Sequence, residues 1–322
     1  MEESRSKRGV CAPIALFVYD RPEHTRRTLE ALEANALASK SSLTVFCDGP
    51  RDSATVEDRE RIARVREIVE SRDWCGAVSV VERGSNIGLA DSIRSGVDQI
   101  LRDNDGIRVI EDDSETSPGF LTCMNSALDT FADEHRVMHV AGYLPKTSFQ
   151  WILPNVFLTT HMSCWGWGTW KRAWSMARWD SASLLRQINS SAERRSEFDM
   201  GGTSGFTNQL ERNLSGELRT WAVFWAASIY LAGGLCLMPH ASLVRNTGVD
   251  GTGENFRTGT TLYDVDRVES IAVKPITARV SKLGRFYLNS FYRYGKKSGV
   301  DARLRAALTA ARYAVATRLK RA

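Results

Sequence analysis

Three consecutive carboxylates, Glu111-Asp112-Asp113, stand at the end of the short apolar run Ile107 to Ile110. A cluster of this kind repels itself unless a cation sits there. Hard oxygen donors suit Mg²⁺ or Mn²⁺, and Mg²⁺ is usually held by one or two carboxylates together with substrate phosphates. The plain alternative is a solvated acidic turn, which is common at strand ends. Two further strand ends carry acids. Asp20-Arg21-Pro22 follows the apolar run Ile14 to Tyr19, and Asp48-Gly49-Pro50 follows Leu43 to Cys47. A carboxylate beside a guanidinium can meet a base, a ribose or a phosphate, although each Asp could equally serve as a helix cap or a turn former. Asn86-Ile87-Gly88-Leu89 precedes a helical pattern, whose first backbone N–H groups can receive an anionic phosphate; a simple turn is the competing reading.

A second group is aromatic. Cys164 to Trp179 holds five of the nine tryptophans, in the pattern Trp165-Gly166-Trp167-Gly168-Thr169-Trp170 followed by Trp174 and Trp179. Glycines between indoles let backbone approach closely while ring faces stay available, and sugars stack on such faces through their C–H surfaces; core packing is the alternative. Trp165 and Trp167 are therefore expected to line a sugar or acceptor pocket around a turn at Gly166. His161 and His240 are expected to satisfy local hydrogen bonds rather than ligate anything.

The elements that position these residues follow from periodicity. Ile14 to Tyr19, Leu43 to Cys47, Val78 to Val81 and Ile107 to Ile110 read as strands, the first apolar without alternation, as in a parallel sheet covered on both faces. Helical patterns fall between them at Glu23 to Ala38, Val56 to Val69 and Leu89 to Leu101. This alternation predicts an α/β doubly wound, mostly parallel sheet, whose ligands bind beyond the carboxyl ends of its strands. Pro118 to Ala132 reads as a helix, Met138 to Tyr143 and Val156 to Thr160 as strands, Ser181 to Gly205 as a helix with a Gly-rich loop, Trp221 to Leu231 as a buried helix, Leu235 to Met238 as a strand, and Gly248 to Gly259 as a flexible loop.

Composition sets the outer limits. The chain has 322 residues, 43% hydrophobic and 25% charged, which is ordinary for one large domain or two small ones. Its formal charge of +5 is unevenly placed: residues 281–322 carry eleven Lys or Arg against the single acid Asp301. That tail could meet an anionic membrane or present a solvated helix face; nucleic acid is not expected. The six cysteines show no CxxC and no zinc-like spacing. No signal peptide and no spanning segment is recognised, so a cytoplasmic location is expected, peripheral on the inner membrane face if the tail binds there.

The order of these parts resembles the GT-A glycosyltransferases, and more narrowly the N-acetylglucosaminyltransferase I-like group and its bacterial polysaccharide relatives of family-two type. The resemblance rests on Asp20-Arg21, Asp48-Gly49, Val109-Ile110-Glu111-Asp112-Asp113 with Ser117-Pro118-Gly119-Phe120, the Gly166-Trp167 turn, and Pro239 with Arg245 ahead of a Gly-rich loop. It covers roughly residues 12–260. It implies a GT-A domain over residues 1–280, with a nucleotide-binding half at about 12–115 and an acceptor half at about 116–280, followed by a basic amphipathic helical tail at 281–322. By the same resemblance the activity would be metal-dependent, inverting transfer of a hexosyl or N-acetylhexosaminyl group from a nucleotide-diphosphate sugar to a glycan or lipid-linked acceptor. Asp113 would hold Mn²⁺ or Mg²⁺, Glu111 and Asp112 would address the sugar or ribose, and Asp20, Arg21 and Asp48 the nucleoside, with Asn86 and Gly88 at the phosphates and Trp221 among the acceptor contacts.

Inversion needs a base for the acceptor hydroxyl. Relatives place an acid just before the Trp that begins the late helix, whereas this chain has Arg219 and Thr220 before Trp221. Glu217 is the nearest carboxylate and the first candidate, with Asp250 and Asp180 behind it. Two rivals remain. A sugar-1-phosphate nucleotidyltransferase would share the topology but normally carries a Gly-rich, basic phosphate loop after the first strand, which Asp20-Arg21-Pro22-Glu23 does not supply. A catalytically impaired sugar-binding or scaffold homologue is kept open by the missing acid.

Overall fold

The computed structural model describes residues 11–252 and 260–294. Its first half is the expected alternation. Strands β1 (Ile14–Val18), β2 (Ser42–Cys47), β3 (Ala77–Glu82) and β4 (Gly106–Glu111) pair in parallel in the order β3-β2-β1-β4, joined by helices α1 (Pro22–Glu33), α2 (Val56–Glu70) and α3 (Leu89–Leu101). All five residues of β1 are buried, because helices cover both faces of the sheet there. Helix α3 lies close against it: a Cβ on Gly96 would stand 2.7 Å from the ring of Phe17. Register places Phe17 beside Glu111, so β1 and β4 end together and deliver Asp20, Arg21 and the acidic triplet to one edge.

The second half is mixed. It comprises β5 (Ser114–Thr116), α4 (Phe120–Thr130), β6 (Val137–Ala141), β7 (Val156–Thr159), β8 (Trp167–Trp170), the single turn α5 (Lys171–Trp174), α6 (Ser181–Ile188), α7 (Ala192–Phe198), α8 (Phe206–Leu214), α9 (Ala222–Leu231), β9 (Leu235–Pro239), β10 (Val244–Asn246) and α10 (Lys282–Tyr294). The eight-stranded sheet runs β3-β2-β1-β4-β8-β6-β9-β7, with β8 antiparallel to both β4 and β6, and β7 antiparallel to β9. Strands β5 and β10 form a separate antiparallel ribbon, with Asn246 opposite Ser114. Helix α9 is apolar on nearly every side and buried, as expected of a helix packed within a core. The six cysteines are free thiols, four of them buried.

Three expectations are corrected. The segment Ser181 to Gly205 folds into α6 and α7 with α8 after it, because Asp180 and Ser191 each cap a new helix by accepting backbone N–H bonds. The expected Gly166-Trp167 turn ends at Gly166, and Trp167 already begins a strand inside the sheet. The expected tail is also divided: residues 282–294 form α10, which buries Tyr287 and Leu288 in one cluster with Phe149, Phe157 and Met238 and so packs on the body of the domain. The remainder of the tail, 295–322, lies outside the described residues.

Candidate active site

Beyond the carboxyl ends of β1, β2 and β4 lies a cleft that opens to solvent. The sequence-predicted residues Asp20, Arg21, Asp48, Asn86, Gly88, Glu111, Asp112, Asp113 and Trp165 all line it. The arrangement at its floor is an ion cluster. Arg21 donates from both Nε and Nη2 to Asp112, with the Nε contact at 3.2 Å, and from Nη2 to Asp113 at 2.9 Å. Asn246, brought in by the β5–β10 ribbon, donates to the other oxygen of Asp113 at 2.9 Å. The Asp113 carbonyl accepts from the Thr247 N–H at 2.8 Å, and Thr28 on α1 donates to the Asp112 carbonyl at 2.7 Å. The backbone of the acidic turn is thus fixed on two sides.

Three carboxylates face one guanidinium here, so negative charge is in surplus. Burial, reinforced by Asp113 and then Asp112, pushes the Glu111 carboxyl well above the usual carboxylate range. Burial likewise raises Asp112 to about 6, overcoming the opposing pull of Arg21. Arg21 is itself penalised by burial, yet the charges of Asp112 and Asp113 raise its pKa above the ordinary value. Its Nη1 is buried without a hydrogen-bond partner. Gly248 closes over this group, since a Cβ there would collide with Asp113 and stand 2.9 Å from Arg21 Nη1.

The donor set fits a hard divalent cation: oxygen ligands, a charge surplus, and Glu111 with no hydrogen bond or ion pair among the described residues. Among the described residues no three His, Cys, Asp or Glu side chains converge as a complete metal cage. An ion here would have to complete its shell with oxygens from outside the chain, as Mg²⁺ does with phosphates.

Other residues divide by role. Asp48 uses its carboxylate internally, accepting N–H bonds from Gly49, Ile87 and Gly88 at 3.0–3.1 Å. It shapes the Asn86–Gly88 loop, and Gly88 (φ +81) precedes the N-terminus of α3 in the cleft wall. Asp20 faces Arg61 at 3.6 Å. Trp165 is half-buried and packs edge-on against Tyr143 and Tyr263. Trp167 does not reach the cleft. It is fully buried, stacked on His139 and Trp221, and Trp221 is buried with it; both were expected at the pocket and are core residues instead. Gly166 (φ +60) makes the turn that sends Trp165 outward and Trp167 inward. Among the base candidates, Asp180 is occupied as the α6 cap, and Glu217 is exposed beside Arg212 and Ser215; neither lines the cleft. Asp250 sits on the 3₁₀ turn that carries Gly248 and bonds His24 at 3.1 Å and Thr252 at 2.7 Å.

Tyr19, Arg51, Ser92, Asn246, Gly248 and Thr252 also line the cleft and were not picked out from sequence. Arg51 lies over the Tyr19 ring at 5.6 Å. Asn246 could have been found by alternation: in Val244-Arg245-Asn246 the outer two side chains are buried and Arg245 turns out to Asp264.

No family model and no curated protein matches this chain. Among solved structures it is similar to a UDP-glucose pyrophosphorylase complexed with UDP-glucose, at 15% identity over 51% of this chain and 70% of that one, with a TM-score of 0.26. That likeness is too loose to bear on function.

Proposed function

We propose that this chain is a glycosyltransferase that takes a sugar from a nucleotide-diphosphate donor, with inversion, and delivers it to a glycan or lipid-linked acceptor, in the setting of bacterial surface polysaccharide assembly that its sequence resemblance implies. One observation carries the reading. The acidic triplet, Arg21 and Asn246 meet in a cleft whose lining also includes Asn86, Gly88 and the start of α3. Such a cleft offers carboxylates for a cation and helix N–H groups for phosphate within one cavity.

In this reading Asp113 holds Mn²⁺ or Mg²⁺, which when bound neutralises the departing diphosphate, the largest charge created in the reaction. Arg21 supplies a fixed positive charge beside the same oxygens, and Asn246 holds the Asp113 carboxylate in orientation. Asp48 keeps the phosphate-facing loop in place. Glu111 and Trp165 face the sugar. Of the three carboxylates considered for the base, Asp250 is the one beside the cleft; His24 and Thr252 orient it.

A thermal-shift screen of nucleotide sugars with and without Mn²⁺ tests the binding half, since a ligand at about 100 times its Kd stabilises by about 2.7 kcal/mol. Product analysis tests the chemistry. Release of nucleoside diphosphate with an acceptor supports transfer; pyrophosphate formed from a nucleoside triphosphate and a sugar phosphate would establish the nucleotidyltransferase instead. Binding without either product would leave a sugar-nucleotide-binding homologue.

A further inference from the structure

Helix α10 has two unlike faces. Gly284, Tyr287, Leu288 and Phe291, spaced as one side of a helix, are buried, and Gly284 lies so close to the Phe157 ring that a Cβ would collide with it. The opposite stripe is cationic. Lys282, Arg285 and Arg293 are exposed along it, with Phe286 and Asn289 partly so, and the helix contains no acid. None of these three cations forms an ion pair among the described residues.

Beside this stripe stands an unusual indole. Phe149 packs 5.9 Å from Phe286, and two residues later Trp151 is 71% exposed, the only tryptophan among the described residues to be so displayed. A short 3₁₀ turn, Gln150–Ile152, holds it there: Gln150 donates to the His240 carbonyl at 2.8 Å, and Ile152 packs on the cluster beneath. The indole is therefore presented by a fixed turn. None of these residues lines the cleft.

We propose that Trp151 and the outward stripe of α10 form a docking surface for an anionic lipid bilayer. An indole settles at the headgroup level, where its ring is buried and its N–H stays wet, while Lys and Arg beside it reach the anionic headgroups. The chain that continues from α10 has the matching charge: residues 295–322 hold eight Lys or Arg against Asp301. An acidic protein would satisfy the cations but gives no reason for a rigidly displayed indole. The surface is independent of the proposed activity, and it would hold the cleft near a membrane whatever the acceptor.

The test is sedimentation of the full chain with phosphatidylcholine vesicles and with mixed phosphatidylglycerol–phosphatidylcholine vesicles at low salt. Binding should require phosphatidylglycerol. Trp151→Ala should weaken it several-fold, and Lys282→Gln with Arg285→Gln by roughly an order of magnitude, both with unchanged melting temperature. Fluorescence quenching by headgroup-depth spin-labelled lipid should be lost in Trp151→Ala. Equal binding to neutral vesicles, or equal binding of wild type and both variants, would overturn the surface, as would capture by polyglutamate with no vesicle binding.

Discussion

The acidic edge and the tryptophan cluster are both dense runs of chemically capable residues, and the fold treats them in opposite ways. The edge gathers Glu111, Asp112, Asp113, Arg21 and Asn246 from three separate segments and opens them to a cleft. The cluster packs Trp167, Trp174, Trp221 and Trp225 around His139 and closes them from water. What separates them is strand direction. Parallel strands β1 and β4 end at the same edge, so polar residues just past them must face outward together. Strand β8 runs backwards between β4 and β6, so its side chains fall in the middle of the sheet and are covered by helices. Residue type indicates what a group could do; strand direction decides whether a ligand can reach it.

The largest effect should come from breaking the cluster. Trp167→Ala removes a fully buried indole stacked on Trp221 and tilted against Trp174, and such a truncation costs about 3–5 kcal/mol. Urea denaturation should show that loss, while the fraction still folded binds nucleotide sugar with unchanged Kd. A weakened Kd with unaltered stability would put Trp167 back in the pocket.

At the edge the balance reverses. Asp113→Asn should lower transfer by at least about a hundredfold, equivalent to about 2.7 kcal/mol of transition-state stabilisation, and leave folding intact because Arg21 retains Asp112 as partner. Initial rates across a Mn²⁺ titration check this. Wild-type activity in the variant, or full activity of the wild type in excess chelator, would remove the metal from the reading.

The two regions should also carry opposite pH signs. His139 donates from Nε2 to the Ser163 carbonyl and accepts the Trp225 indole N–H at Nδ1, so both nitrogens are satisfied only while the ring is neutral. Burial pushes its pKa down to about 3. The unfolded chain takes up that proton near pH 6.5 and the folded chain does not, so the stability His139 contributes is complete above pH 6.5 and is lost as pH falls. Asp112, raised to about 6 by burial, acts in the other direction: it is destabilising when ionised, and the loss is relieved as pH falls through 6. His139→Gln should isolate the difference. The stability of the variant relative to wild type should improve by about 1.4 kcal/mol per pH unit between pH 6.5 and 5. Parallel pH curves for the two proteins would show that the imidazole does not stay neutral.

Much of the edge was legible because it depends on local order. Unbroken apolar runs gave β1, β2 and β4, and the residues just past them were bound to share a sheet edge. Asn246 is harder to see, because the alternation that marks it spans only the three residues of β10 and it reaches Asp113 from 133 positions away in the chain. Glu217 stands outside the cleft lining for a related reason. Proximity of Glu217 to Trp221 in the chain indicated an acid near a helix start, but Trp221 itself is core, so the loop before it faces solvent away from the cleft lining. In the C-terminal segment the expected basic tail loses its first turns to the domain, because β7 and the 149–153 region supply partners for the aromatics of α10.

The finest division in the comparison is the one drawn by Gly166. Its positive φ sends Trp165 and Trp167, two residues apart, to different fates: one indole half-exposed in the cleft wall, the other sealed in the core. Trp165 is braced edge-on by Tyr143 and Tyr263, so removing it leaves those rings partly supported by each other's surroundings rather than opening a closed cavity. Trp165→Ala should therefore cost little stability. If its face meets the sugar, donor or acceptor affinity should fall by about tenfold, close to the 1.4 kcal/mol expected from one lost aromatic contact. Calorimetric titration of the best-binding nucleotide sugar, and KM for the acceptor, would read the effect. A lower melting temperature with both affinities unchanged would mean that Gly166 divides two core residues, and that the cleft recognises its sugar through Glu111 without an aromatic wall.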